Sequence, residues 1–117
     1  MREIKFRAYL KDRMKIVDVI MLEPENKIRY EDDDVICECD IDECELMQFT
    51  GLYDKSGKEI YEGDIIKLGN GQVRFVFYEI SEFKHIAYGK VSKNFDYTDK
   101  GYEVIGNIFD NNELLGE

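Results

Sequence analysis

Three cysteines, Cys37, Cys39 and Cys44, stand within eight residues inside the most acidic stretch of the chain. Three thiolates so close together suit zinc, with His85 or a nearby carboxylate as a fourth ligand. The C-x-C-x₄-C spacing is not that of a zinc knuckle, however. The surrounding carboxylates also raise thiol pKa values, which disfavours the ligating thiolate. Cys37 and Cys39 fall on the apolar side of an alternating pattern, so they read as small hydrophobes, and no metal site is assigned.

The acids invite a second chemistry. Residues 31–45 hold nine of them (Glu31, Asp32, Asp33, Asp34, Glu38, Asp40, Asp42, Glu43 and Glu45) and no Lys or Arg. A calcium loop needs acids at alternate positions, a central glycine and a late glutamate. Started at Asp40 and Asp42, that pattern fails at Cys44 and contains no glycine. The stretch reads instead as a solvated acidic edge or a partner surface.

Catalytic constellations are lacking. His85 is the single histidine and would have to serve any Cys–His or Ser–His pair. There is no G-x-S-x-G elbow and no cysteine in electropositive surroundings. Gly69-Asn70-Gly71 lacks the Gly-Lys-Ser/Thr that follows in a phosphate loop. The chain therefore reads as non-enzymatic, with no catalytic residue, no cofactor and no metal.

At 117 residues the chain suits one compact domain with a modest core. Two subdomains are readable within it, 1–45 and 46–117. The net charge is −10, yet outside the acidic stretch 17 acids meet 16 bases, so the acidity is local. Such a chain is repelled by phosphates, which argues against nucleic acid as a partner. No apolar run approaches the roughly 20 residues of a membrane helix. The start MREIKFRAYL has no apolar signal-peptide core, and the odd cysteine count suits a reducing cytoplasm.

The elements that would position these groups are short strands with turns every 8–12 residues or so. Alternation predicts a strand over 4–10, with Ile4, Phe6, Ala8 and Leu10 on one face and Lys5, Arg7 and Tyr9 on the other. Residues 14–22 form a second strand, with Met14, Ile16, Ile20 and Leu22 opposite Val17, Val19 and Met21. Its two apolar faces suit a central position. Glu23 to Asn26 is a turn, and Lys27–Tyr30 reads as a short edge strand. Val35, Cys37, Cys39 and Ile41 alternate with Glu38, Asp40 and Asp42, giving a strand and then a short turn, with Asp40 and Glu43 as an imperfect capping box. Asp54-Lys55-Ser56-Gly57 is a hairpin, Glu62-Gly63-Asp64 a break, and Asn70-Gly71 a turn with positive φ expected at both residues. Strands are expected at 65–68, 72–80, 85–91 and 102–109, with a polar loop at 92–101 and one helical turn in the tail. The fold class is mainly β: short antiparallel strands, with an SH3-like small barrel in the C-terminal half packed with an N-terminal β-hairpin subdomain.

The opening MREIKFRAY, the centre QFTGLYDKSGKEIYEGDII and the ending YEVIGNIFDNNELL together resemble the YopX family of phage and prophage proteins. The resemblance covers essentially the whole chain, apart from residues 31–45. It implies a small β-rich cytoplasmic protein of phage or prophage origin, and brings no catalytic residue, cofactor or partner. Most of its motif is explained as turn chemistry at Gly51, Gly57, Gly63, Gly106, Asp54 and Asp64. The functional alternative makes Thr50, Tyr53, Tyr61 and Glu62 a binding surface beside those turns.

Three functions follow from these readings. The first is a module that docks an unknown host or phage protein through exposed loops or a sheet edge. The second is a nucleic-acid mimic that uses the acids Asp32, Asp34, Asp40 and Asp42 to occupy a DNA-binding protein. The third is a nucleic-acid-binding SH3-like module built on Arg74, Lys84, Lys90 and Lys93 with Tyr78 and Tyr88. Exposed strand edges make a homo-oligomer compatible with all three.

Overall fold

The computed structural model describes residues 4–79, 82–86, 93–94 and 101–115. These are strands, two 3-10 turns and connections, so the mainly β expectation holds. The chain forms two compact units, Met1–Phe49 and Thr50–Glu117. The division follows Phe49 rather than Glu45.

In the first unit four strands run as an antiparallel meander: β1 (Phe6–Leu10), β2 (Lys15–Glu23), β3 (Lys27–Asp32) and β4 (Val35–Asp40). The sheet order is β4-β3-β2-β1, and β5 (Cys44–Tyr53) lies beside β1. β5 continues into the second unit. Alternation decides which side chains meet, because a strand's period of two sends every second residue to the same face. Ala8, Leu10, Val17, Ile28, Tyr30 and Cys44 make the buried cluster, with Val19, Cys37, Cys39 and Leu46 packed on it.

Several local expectations are corrected here. β3 lies between β2 and β4 and is not an edge strand, because β4 takes the edge. In β2 the register shifts between Val19 and Met21, which pair with Tyr30 and Arg29. This bulge puts an extra residue, Ile20, into β2 and switches the faces after it. Leu22 then comes opposite the core residue Ile28, where uninterrupted alternation places Met21, and the two side chains stay 48% and 47% exposed. In β1, Tyr9 is buried as well as Ala8 and Leu10, whereas Ile4 is exposed.

The hairpins of this unit are closed by residues other than glycine in the left-handed region. Asp33 and Asp34 have φ of 50° and 66°, and Asp32 pairs directly with Val35. That is a two-residue loop with positive φ at both positions, whose twist matches the strands it joins. Aspartate tolerates this conformation better than most residues because its short side chain bonds locally. Part of the acidic run is therefore turn chemistry.

The second unit holds the end of β5 with β6 (Glu59–Tyr61) beside it. It also holds a five-stranded antiparallel sheet of β7 (Asp64–Lys67), β8 (Val73–Glu79), β9 (Glu82–Ile86), β10 (Lys93–Asn94) and β11 (Glu103–Asn107). Its order is β10-β9-β8-β7-β11. The expected SH3-like barrel does not close among the described residues. The Glu62-Gly63 turn diverts the chain after β6, and β6 bonds to β5 instead of joining the sheet that β7 begins. Ile60, Ile66, Val76, Phe83 and Tyr102 form this unit's buried cluster. The tail turn is 3-10, over Asn112–Leu115. Most of the polar loop expected at 92–101 lies outside the described residues.

Two hairpins of this unit share one construction. Asp54 N–H donates to the Lys58 carbonyl and Gly57 N–H to the Asp54 carbonyl, at 2.7 and 2.9 Å. Leu68 and Gln72, and Gly71 and Leu68, repeat the pattern at 2.8 and 2.9 Å. Each three-residue loop ends on a left-handed glycine, Gly57 at 87° and Gly71 at 89°. The left-handed residue of the second loop is Gly71 and not the Asn70-Gly71 pair. Asn70 instead accepts Gln72 N–H on its Oδ1, at 3.0 Å.

Gly57 and Gly106 are required for different reasons, and stability measurements separate them. A Cβ at Gly57 meets nothing within 4 Å, so only its φ is at stake. A Cβ at Gly106 would lie 2.5–2.8 Å from the Asn111 side chain, whose Oδ1 accepts Asn107 N–H. Gly57→Val should destabilise by more than about 1 kcal/mol through strain alone. Gly106→Ala should cost about 1–3 kcal/mol by overpacking, and Asn111→Gly in that background should recover part of it. Urea unfolding checks both. Recovery by Asn111→Gly in the Gly57→Val background would contradict this separation.

Candidate functional site

The open edge of β4 follows from its hairpin. In a two-residue hairpin the closing pair, here Asp32 and Val35, exchanges both backbone bonds, and bonded and unbonded pairs then alternate. Tyr30–Cys37 and Ile28–Cys39 are therefore bonded pairs, and Ile36, Glu38 and Asp40 point their N–H and C=O groups away from β3. Two bonds agree with this phase. Asp40 N–H goes to Glu43 Oε1 at 2.9 Å, and Ile41 N–H returns to the Asn26 carbonyl at 2.8 Å. The first caps the far end of the edge at the 3-10 turn Ile41–Glu43. What remains open is Ile36 and Glu38, flanked by Val35 and Ile36 side chains 58% and 57% exposed.

The acids around this edge do not form one free strip. Asp32 holds Arg13 and Lys15 at 2.7 and 2.6 Å, Asp40 holds Lys27 at 2.6 Å, and Glu45 lies 3.4 Å from Lys11. The hydrogen bond from Lys15 is the main reason the Asp32 carboxyl sits below its usual range. The bases that charge counting placed outside residues 31–45 are thus returned to it from β2, β3 and the β1–β2 loop. Of the four acids named for mimicry, Asp32 and Asp40 are committed, while Asp34 and Asp42 are exposed. Beside the edge, Glu38 lies opposite Arg29, which also holds Glu23 at 2.8 Å. The bond to Glu38, with burial second, lifts the Glu23 carboxyl above its usual range.

The cysteines sit on the core side of β4 and at the start of β5. Among the described residues no three His, Cys, Asp or Glu side chains gather as metal ligands. Burial, with Cys39 beside it, pushes the Cys44 thiol up to about 11, and burial also raises Cys39. Both shifts disfavour the reactive thiolate at neutral pH.

The central motif spends its polar atoms inside the second unit. Thr50 is 2% exposed; its hydroxyl donates to the Ile60 carbonyl at 2.7 Å and accepts Leu52 N–H at 3.1 Å. Tyr61 is buried, with its hydroxyl 3.1 Å from Glu59 Oε1, and Glu62 is half-buried. Tyr53 is the member of that set that presents its ring to solvent. Asp64 accepts Tyr61 N–H at 2.7 Å. Asp54 is the hub. Its Oδ1 accepts Ser56 and Lys58 N–H at 2.8 and 2.9 Å, and its Oδ2 accepts Val104 N–H on β11 at 3.0 Å. Burial works against the ionised form, but these backbone donors prevail and hold the carboxyl below its ordinary value. The sequence shows a local turn role for Asp54. The tie to Val104, 50 residues on, appears only in the fold.

A shallow cleft of about 380 Å³ in this unit is lined by Lys55, Lys67, Leu68, Gly69, Gly71, Gly101 and Glu103, and Lys55 is 3.5 Å from Glu103. Of the basic set read for nucleic acid, Arg74 and Tyr78 have described side chains. Arg74 is only 6% exposed and bonds Gln72 at 2.6 Å, and Tyr78 packs edge-on against Phe83. Lys84 and Lys93 have described backbone only, and Tyr88 and Lys90 lie outside the described residues. His85 is buried against the Tyr102 ring.

The family model described as YopX protein matches residues 5–116. Among solved structures, protein EF1440 from Enterococcus faecalis is similar with a TM-score of 0.73 and 25% identity. That match covers 98% of this chain and 99% of that one. Protein yopX from Bacillus subtilis is similar in fold, with a TM-score of 0.60 and 17% identity over 94% of this chain and 96% of that one. The search of curated proteins finds no match.

Two measurements probe this account. Asp54→Asn keeps an acceptor for Ser56 and Lys58 but turns an amide donor toward Val104 N–H. It should cost roughly 2–4 kcal/mol near neutral pH. A depressed folded pKa stabilises fully above the unfolded value of about 3.9 and is lost as pH falls through the folded value. The gap between wild type and variant should therefore narrow below about pH 4. A pH-independent gap would remove the carboxylate from the account. For Cys44, iodoacetamide at pH 8 finds on the order of a thousandth of the thiol ionised. Labelling should be at least about tenfold slower in the folded chain than in urea, and equal rates would show that burial does not protect it.

Proposed function

The chain belongs to the YopX family, and from that premise we propose that it works as a non-enzymatic protein-interaction module that receives a partner at the β4 edge of its first unit. The supporting observation is the pair of outward backbone positions, Ile36 and Glu38, on a terminal strand with exposed Val35 and Ile36 beside them. Strand addition takes its affinity from such unpaired main-chain groups and its specificity from alternate side chains. The proposed partner is a host or phage protein in the bacterial cytoplasm, in keeping with the phage or prophage setting that the sequence resemblance implies.

Mimicry of a phosphate backbone by the acidic stretch is the competing reading. It is weakened by the ion pairs that already occupy Asp32, Asp40 and Glu45. Loop docking through Thr50, Tyr61 and Glu62 is weakened by their burial.

Capture from bacterial lysate discriminates among these readings. Ile36→Pro removes an outward N–H at an edge position, where proline is tolerated, and leaves the net charge unchanged. Capture should be lost with Ile36→Pro and retained with Asp33→Asn, Asp34→Asn and Asp42→Asn combined. The opposite result, with capture that collapses between about 50 and 200 mM salt, would support mimicry and reject the edge.

A further inference from the structure

We infer that the occupant of the β4 edge is a cationic β-strand of a partner protein, one face apolar and the other bearing Lys or Arg; this rests on the edge reading above. On β4 the two faces carry different chemistry. Val35, Cys37 and Cys39 lie on one, and Ile36, Glu38 and Asp40 on the other, where Ile36 adjoins Glu31 and Glu38 adjoins Arg29. An added strand continues both faces, since side chains directly across a pair of strands are neighbours. Its residues opposite Val35, Cys37 and Cys39 extend an apolar surface, so they should be apolar.

The other face carries more acids than bases. Arg29 pairs with Glu23 and lies opposite Glu38 in register, so two carboxylates stand beside one guanidinium. The next row sets Glu31 directly against Asp18, with only Arg7 beyond it. The hairpin end adds Asp33 and Asp34, both exposed, while the ion pairs of Arg13 and Lys15 go to Asp32. A Lys or Arg laid across from Glu38 meets this excess, and like charge there is destabilising.

The same pattern disfavours a second copy of this chain. Antiparallel pairing of two β4 edges sets Glu38 against Glu38, or Asp40 against Asp34, depending on register. Charges on an edge strand guard against homotypic pairing. They do not oppose a strand of opposite sign.

Titration of the full chain with short amidated peptides, followed by amide NMR shifts, tests the inference. One peptide alternates lysine and valine, a second glutamine and valine, and a third glutamate and valine. At about 50 mM salt the lysine peptide should bind about tenfold more tightly than the glutamine peptide, with shifts centred on Ile36 and Glu38. Ile36→Pro should abolish both. Glu38→Lys, which alters no core contact, should move the preference to the glutamate peptide. Equal affinity for all three, still lost with Ile36→Pro, overturns the cationic partner while keeping the edge. Binding that Ile36→Pro leaves intact overturns both, as does no binding of any peptide. Concentration-dependent self-association lost with Ile36→Pro would make a second copy the occupant and overturn the inference.

Discussion

The register of the first unit depends on its left-handed turn residues. Asp33 and Asp34 close β3 onto β4 with no spare residue, and the phase of every hydrogen bond along that pair follows. A slip of one residue would exchange Cys37 and Cys39 with Ile36 and Glu38 between the core face and solvent. It would also turn the unpaired backbone groups toward β3. Two of the nine acids in the run are therefore first a geometric device, aspartates placed where the loop needs positive φ. Glu25 and Asn26 supply the positive φ, at 63° and 60°, in the three-residue loop that joins β2 to β3.

The second unit solves the problem with different residues. Gly57 and Gly71 supply the left-handed positions, and the carboxylate of Asp54 replaces the backbone partners that a tight loop leaves unmatched. The tie from Asp54 to Val104 joins that loop to β11, while Lys55 N–H reaches the Tyr102 carbonyl. A carboxylate that accepts three backbone donors is tolerated where a bare charge would be costly, because the donors replace its lost hydration. The length of the motif around Asp54 thus has a structural explanation.

Charge follows the same local logic. Nine acids in fifteen residues look like one negative strip when the chain is laid out in a line. The meander brings Lys11, Arg13, Lys15 and Lys27 across from neighbouring segments and cancels part of it. The cancellation is incomplete at Glu38, beside the one stretch of β4 backbone left unpaired. Charge and open edge therefore coincide on β4.

Strand alternation, turn residues and the overall β class were legible in the sequence, because period-two patterning and Gly, Asn and Asp turns are local properties of the chain. The strands at 4–10, 14–22 and 72–80, the short turn after Asp40 and the local role of Asp54 could be read this way. The bulge at Ile20 was not legible, since an inserted residue is visible only against its partner strand. Nor was the placement of β3 inside the sheet, the pairing of β6 with β5 that leaves the second sheet open, or the burial of Thr50 and Tyr61. Sequence by itself determined which residues could turn and which faces could be apolar. Only the tertiary structure decided which strand was left at an edge and which acids were left without a base, because both depend on neighbours distant in the chain.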